Sequence, residues 1–322
     1  MIINTNEPKI VVIGGGTGIS VLLRGLKKYT SNLTAIVTVS DDGGNSGRLR
    51  AELGVLPPGD IRNCLVALAE TETLMDKVFQ HRFIQESSLK GHNLGNLLLV
   101  AMTEITGDFN LAIREVSKIL AVKGRVIPAT LEQVVLGAKM HDGNTIYGET
   151  LLREYKGKIE KLFLVPETCS PLPETIAALD EADAIIIGPG SLYTSIIPNL
   201  LVKGIKEGIA KSNATTFYVS NIMTELGETD NYTATDHLNV IFDYLDEKII
   251  DYIVVNSGAI DNPRLMRYEK EQAIPVIVDN DKILQMGVKI IETDLVLKND
   301  VAWHDSDKLA LTIMKALAES HN

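Results

Sequence analysis

Short runs of β-branched and aliphatic residues alternate along this chain with stretches whose apolar positions recur at helical spacing. Residues 9–13 (KIVVI) and 33–39 (LTAIVTV) read as buried parallel strands, and the same pattern returns at 183–187, 215–219, 252–255 and 275–278. Glycines follow the first strand at once, and Val21, Leu22, Leu23 and Leu26 then mark a helix. Further helices are predicted near 60–72, 74–86, 93–106, 108–122, 173–181, 198–212, 234–248 and 306–319. Residues 134–164 break this rhythm. Alternating stretches there flank His141-Asp142-Gly143-Asn144, whose Asp-Gly step favours a hairpin turn. The prediction is an α/β chain with a Rossmann-like, doubly wound, mostly parallel sheet and a small antiparallel hairpin insertion at about 134–164. No repeat, low-complexity tract or linker interrupts residues 1–322, so a single domain is expected.

Candidate chemistry lies in the loops that follow the strands. Gly14-Gly15-Gly16-Thr17-Gly18 stands between a strand and a helix, where glycines permit close approach and free N–H groups attract anions. The dinucleotide fingerprint would need glycine where Ile19 stands, which argues against a nicotinamide dehydrogenase. In Ser40–Arg50, Asp41 and Asp42 can hold a ribose hydroxyl or Mg²⁺, while Gly43, Gly44, Ser46 and Arg48 suit phosphate oxygens. Pro57-Pro58-Gly59-Asp60-Ile61-Arg62-Asn63 opens a helix. Asp60 is placed to cap it, whereas Arg62 opposes the helix dipole unless it holds an anion. Asn93 and Asn96 sit one turn apart beside His92, which reads either as a structural hydrogen-bonding residue or as a base contact. Gly188, Gly190, Ser191 and Thr194 form another strand-to-helix loop, read as a binder because no G-x-S-x-G elbow surrounds the serine. Asn221, Thr224 and Glu228 follow the next strand and can reach a base or sugar from the same rim.

Composition narrows the partners. A net charge of −11, from 42 acidic and 31 basic residues, disfavours extended nucleic-acid or anionic-membrane binding. No apolar run is long enough to span a bilayer, and the amino-terminal stretch lacks a signal-peptide pattern. Cys64 and Cys169 can form neither a disulfide framework nor a zinc cluster, and the histidines lack ligand spacing, so no zinc and a cytoplasmic location are expected. The helical and hairpin surfaces leave room for a homodimer, although no residue pattern specifies one.

Together, GGGTG, SDDGGNSGRLR, PPGDIRN, GHNLGN, GRVIPAT, GPGSLYTSIIPNLL and NIMTELGETDNYTATDH, in this order, resemble the gluconeogenesis factor family of bacteria. That family is related to the 2-phospho-L-lactate transferases (CofD-like proteins) of deazaflavin cofactor synthesis. The resemblance implies a Rossmann-like fold, UDP-sugar binding, UDP-N-acetylglucosamine among the candidates, and a role in cell shape and wall synthesis on gluconeogenic carbon. It implies a nucleotide-sugar contact at Tyr268. The family pattern places Arg before a His-Asp-Pro, whereas Trp303-His304-Asp305-Ser306 stands here, so Trp303 offers a ring for stacking instead. The transferase relatives imply a metal-assisted phosphoryl site, with Mg²⁺ at Asp42 and Asp60. Two readings follow: a regulatory UDP-sugar binder without turnover, and a Mg²⁺-dependent transferase acting on a nucleotide-activated substrate.

Overall fold

The computed structural model describes residues 7–70, 74–155, 157–245, 249–297 and 302–320. Residues 71–72 and 246–248 of the expected helices lie outside the described residues. The apolar runs become parallel strands buried on both faces. β1 (Ile10–Gly14), β2 (Leu33–Val37) and β3 (Arg125–Pro128) extend in one direction from the sheet centre. The excursion supplies β4 (Val135–Met140), β5 (Thr145–Tyr147) and β6 (Ile159–Val165). β7 (Ala184–Ile187), β8 (Thr215–Val219), β9 (Tyr252–Asn256) and β10 (Lys289–Thr293) then complete the main sheet on the other side.

The seven-stranded order is β10-β9-β8-β7-β1-β2-β3, with every pair parallel. Strand order reverses between β1 and β7. Right-handed crossovers that run outward in both directions from this point leave a crevice at the carboxyl ends of the two strands. The second sheet, in order β5-β4-β6, is antiparallel and shows the expected hairpin. A helix over Glu149–Tyr155 lies between its second and third strands, which the alternation pattern had not indicated. One hydrophobic cluster joins main-sheet residues such as Val12, Ile36 and Ile186 to Leu136, Ala138 and Leu162 of the excursion.

Other segments differ from expectation as well. Residues 275–278 make only isolated bridges, at Pro275 and Ile277. Pro275 lacks the N–H that a ladder needs, and the edge position goes to β10 instead. The glycine-rich stretch read as a loop starts a helix at Gly44, α2 (Gly44–Leu53), because glycines at a first turn do not block helix formation as they would mid-helix. The helix expected over 198–212 divides into Ile197–Leu200 and Ile205–Lys211, preceded by a π-helical turn at Leu192–Ile196.

α1 (Gly16–Leu26) follows β1, and α3 (Gly59–Leu68) packs beside it. The other face of α1 meets the carboxyl-terminal helix Ser306–Ser320 at Gly25. A Cβ there would stand 2.0 Å from the Ser306 carbonyl oxygen and 2.7 Å from Ala310 Cβ. Gly25→Ala is therefore expected to separate the two helices and lower stability by about 1–3 kcal/mol. A urea titration checks this; an unchanged midpoint would remove the close contact from the account.

Candidate functional site

A cavity of about 780 Å³ occupies the crevice between β1 and β7. That volume suits a small-molecule site, and the location is the switch point where open α/β sheets bind ligands. Two glycine turns form its floor. Gly15, Gly16, Thr17 and Gly18 line it after β1, and Pro189, Gly190 and Ser191 line it after β7. The turns touch: a Cβ on Gly18 would lie 2.3 Å from the Pro189 carbonyl oxygen. The N-cap residue Gly15 has no side chain to cap α1, whose first turn opens at this floor with the Gly16 N–H donating to Asp60. Such a terminus presents N–H groups and a positive dipole end to an anion.

One end of the cavity is apolar. Ile222, Met223 and Ala302 pack in a small hydrophobic cluster with Val296, against Tyr268 and Ile260. Tyr268, Ala302 and Trp303 all line the cavity, and Trp303 is 47% exposed. The Tyr268 hydroxyl accepts a hydrogen bond from the Ala302 N–H at 3.1 Å, fixing the ring against the tail segment. Buried His304 also lines the cavity, its Nε2 3.2 Å from the Ser220 carbonyl oxygen; burial pushes its pKa down to about 4, so the ring is neutral near pH 7.

The opposite end is acidic. Asp41, Asp60 and Glu149 line it together with Arg153. Among the described lining residues, Arg153 is the one guanidinium or ammonium. Burial, reinforced by the nearby Asp41 charge, raises the Asp60 carboxyl to about 6, although the Gly16 N–H donates to it. Burial likewise pushes Glu149 well up, against the opposing pull of Arg153. Glu228, just behind, is raised by burial and by Glu225. Burial works against the charge on Arg153, but Glu149, Glu228 and Glu225 outweigh it and hold the guanidinium above its usual value.

Between the two ends, Asn221 and Glu225 order the rim. Asn221 Oδ1 accepts from the Gly190 N–H at 3.3 Å, and its Nδ2 donates to Glu225 at 3.0 Å. The Ser191 hydroxyl donates to the other Glu225 oxygen at 2.6 Å. Buried Thr194 donates to Glu228 at 3.1 Å and accepts from Arg153 Nη2 at 2.9 Å.

The sequence candidates thus divide. Gly15, Gly16, Thr17, Gly18, Asp41, Asp60, Gly190, Ser191, Asn221, Tyr268 and Trp303 line one cavity. Gly14, Gly188 and Thr194 lie just behind its wall. Asp42 does not line it. One Asp42 oxygen accepts from both the Thr150 N–H and hydroxyl, at 2.9 and 2.8 Å, bracing the excursion helix. Gly43 and Gly44 start α2, Ser46 packs on Gly59, and Arg48 extends over the surface to the Lys90 carbonyl. Arg62, Asn63, His92, Asn93 and Asn96 belong with Asn45 to a polar network outside the cavity. Arg62 donates to both Asn96 and Asn63, and Asn45 bonds His92 Nδ1, the Asn93 N–H and Asn96 Nδ2. Burial, with Arg82 nearby, lowers Arg62 to about 10. Its bonds go to neutral amides, so the network itself accounts for its place on the first turn of α3.

Sequence reading missed Glu149 and Arg153. Their spacing of four residues on one helix face, just after Gly148, was the available signal.

Asp41 and Asp60 also bear on a metal. Mg²⁺ is commonly held by one or two carboxylates and substrate phosphates, so this pair fits a metal brought in with a phosphate. No group of three or more ligating side chains that could hold a metal occurs among the described residues. Asp42, engaged by Thr150, fits less well.

A parallel sheet wound both ways from a glycine-floored crevice defines an α/β protein of the Rossmann-like class. The chain belongs to the CofD family and, within it, to the gluconeogenesis factors. The family of 2-phospho-L-lactate transferase CofD matches residues 10–296. The gluconeogenesis factor of Bacillus subtilis is 52% identical over 314 residues, covering 97% of this chain and 99% of that protein. That of Halalkalibacterium halodurans is 50% identical over 310 residues, covering 96% of each. A crystal structure of a UPF0052-family protein from Bacillus halodurans superposes with a TM-score of 0.92 at 50% identity, over 95% of this chain and 99% of that one. No helix among the described residues is long and apolar enough to cross a membrane.

The raised Asp60 pKa has a stability consequence with a definite sign. Between its ordinary 3.8 and about 6, the folded chain binds the proton that the unfolded chain releases. Its ionisation cost is absent below about pH 4 and complete above about pH 6. The carboxyl borders the cavity, which screens part of this cost, so Asp60→Asn is expected to stabilise the protein by on the order of 1–3 kcal/mol at pH 7.5. The gain should fade toward pH 4. Thermal melts of both proteins across this range test it, and a pH-independent difference would refute the assignment.

Proposed function

We propose that this protein is a regulatory binder of nucleotide-sugars, with a UDP-sugar such as UDP-N-acetylglucosamine in the switch-point cavity. The observation that carries this reading is the combination of chemistry lining one cavity: an aromatic and apolar cluster, a glycine floor at a helix N-terminus, and a group of carboxylates. A base stacks at Tyr268 and Trp303, the diphosphate lies over Gly16–Gly18 and Gly190, and sugar hydroxyls donate to carboxylates. Ser191 is engaged by Glu225, with no histidine bonded to it, which favours binding over nucleophilic chemistry. The name gluconeogenesis factor borne by the relatives supports a role during growth on gluconeogenic carbon, where sensing a UDP-sugar in the cytoplasm would serve wall synthesis and cell shape.

A Mg²⁺-dependent transferase is the second reading, favoured by the proximity of Asp41 and Asp60. Mg²⁺ would offset charge on a transferring group there, while the glycine turns hold the nucleotide.

Trp303 is the chain's single tryptophan and lines the cavity, so its fluorescence reports occupancy. Titration with UDP-N-acetylglucosamine, UDP-glucose, GDP and NAD, with and without Mg²⁺, is expected to give selective UDP-sugar binding with quenching and no released UMP or UDP. Selective GDP binding that requires Mg²⁺ would replace this reading with the transferase. Tight NAD binding would overturn both.

A further inference from the structure

Arg153 reaches the cavity from the antiparallel excursion, and its hydrogen bonds leave part of the guanidinium unused. Nε donates to Glu228 Oε1 at 3.3 Å, and Nη2 donates to Thr194 Oγ1 at 2.9 Å. Nη2 also lies 3.0 Å from Glu149 Oε1. Among the described residues, Nη1 has no hydrogen-bond partner. The exposure of this triad is uneven: the Arg153 side chain is 50% accessible, against 11% for Glu149 and 2% for Glu228. Glu228 stands behind, while Glu149 and the more exposed cation line the cavity.

We propose that Arg153 is the anion-binding side chain of the cavity, held by Glu149 and Glu228 so that its free edge takes a phosphate oxygen of a diphosphate-bearing ligand. The nucleotide identity of that ligand rests on the function proposed above; the assignment of Arg153 to its anion does not.

The physical case is one of charge and geometry. Asp41, Asp60, Glu149, Glu225 and Glu271 all line this cavity. Such a surface repels a diphosphate unless a cation offsets it, and the α1 terminus supplies only about half an elementary charge. Arginine presents a planar fork of donors that can serve a carboxylate on one edge and a phosphate on another. Glu149 and Glu228 fix the position of that fork. Thr194 ties Arg153 to the same π-helical turn that follows Gly190, so the cation and the glycine floor keep a fixed relation.

The test uses the full chain and three probes: uridine, UDP-N-acetylglucosamine and inorganic pyrophosphate, each followed by calorimetry and Trp303 fluorescence. Arg153→Lys keeps the charge and loses the fork. The double variant Arg153→Met, Glu228→Gln removes the cation without leaving Glu228 ionised and unpaired, which protects the fold; a thermal melt verifies it. A charge-assisted hydrogen bond corresponds to about 10–100-fold in affinity. The double variant is expected to lose at least about tenfold for pyrophosphate and the UDP-sugar, with uridine unchanged and Arg153→Lys intermediate. Unchanged pyrophosphate binding in both variants would overturn the proposal, as would an equal loss of uridine. If the native protein binds pyrophosphate but not the UDP-sugar, the nucleotide reading falls and the pyrophosphate series alone decides on Arg153. Binding of neither would overturn both.

Discussion

The cavity depends on the contact between the turns after β1 and β7. Gly18 lies so close to the Pro189 backbone that no side chain fits between them. This closeness lets two loops 170 residues apart in sequence share one floor, and it keeps the first turn of α1 open to a ligand. The parallel pairing of β1 with β7 fixes the register that brings the turns level. The rim of Asn221, Glu225 and Ser191 then follows from β8 taking the next place in the sheet.

The phosphate site proposed for this cavity lies in walls that are themselves acidic. Its acidic end does not balance charge one for one: Asp41, Asp60 and Glu149 face the single Arg153. The burial that makes ionisation costly at Asp60 and Glu149 also holds protons there at higher pH. Helix terminus and arginine each contribute a part of what a lysine-rich site would supply directly.

Much of the fold was legible because a buried parallel strand leaves a short, dense apolar run that few other elements imitate. β1, β2, β7, β8 and β9 are such runs. β10 was not, because Lys289 and Glu292 interrupt it at the sheet edge, where one flank faces solvent. The glycine turns were legible for a different reason, since their backbone needs restrict the residue type. Acidic side chains carry no such restriction. Asp41 and Asp42 are equivalent in sequence, yet neighbours on an extended segment point to opposite sides, and only Asp41 meets the cavity. Arg62, His92, Asn93 and Asn96 have ligand-like chemistry, but in the fold they are bonded through one amide network around Asn45 and Asn96. Arg153 was hidden in an element whose alternation announced a hairpin and not the helix inside it.

The brace from Asp42 to Thr150 gives the excursion a mechanical role. It fastens the tip of the segment after β2 to the helix bearing Glu149 and Arg153, across 108 residues of sequence. Asp41, its neighbour, lines the same wall. Arg153 in turn bonds Thr194 in the turn that follows β7, so the acidic end is clasped from two sides of the sheet's switch point.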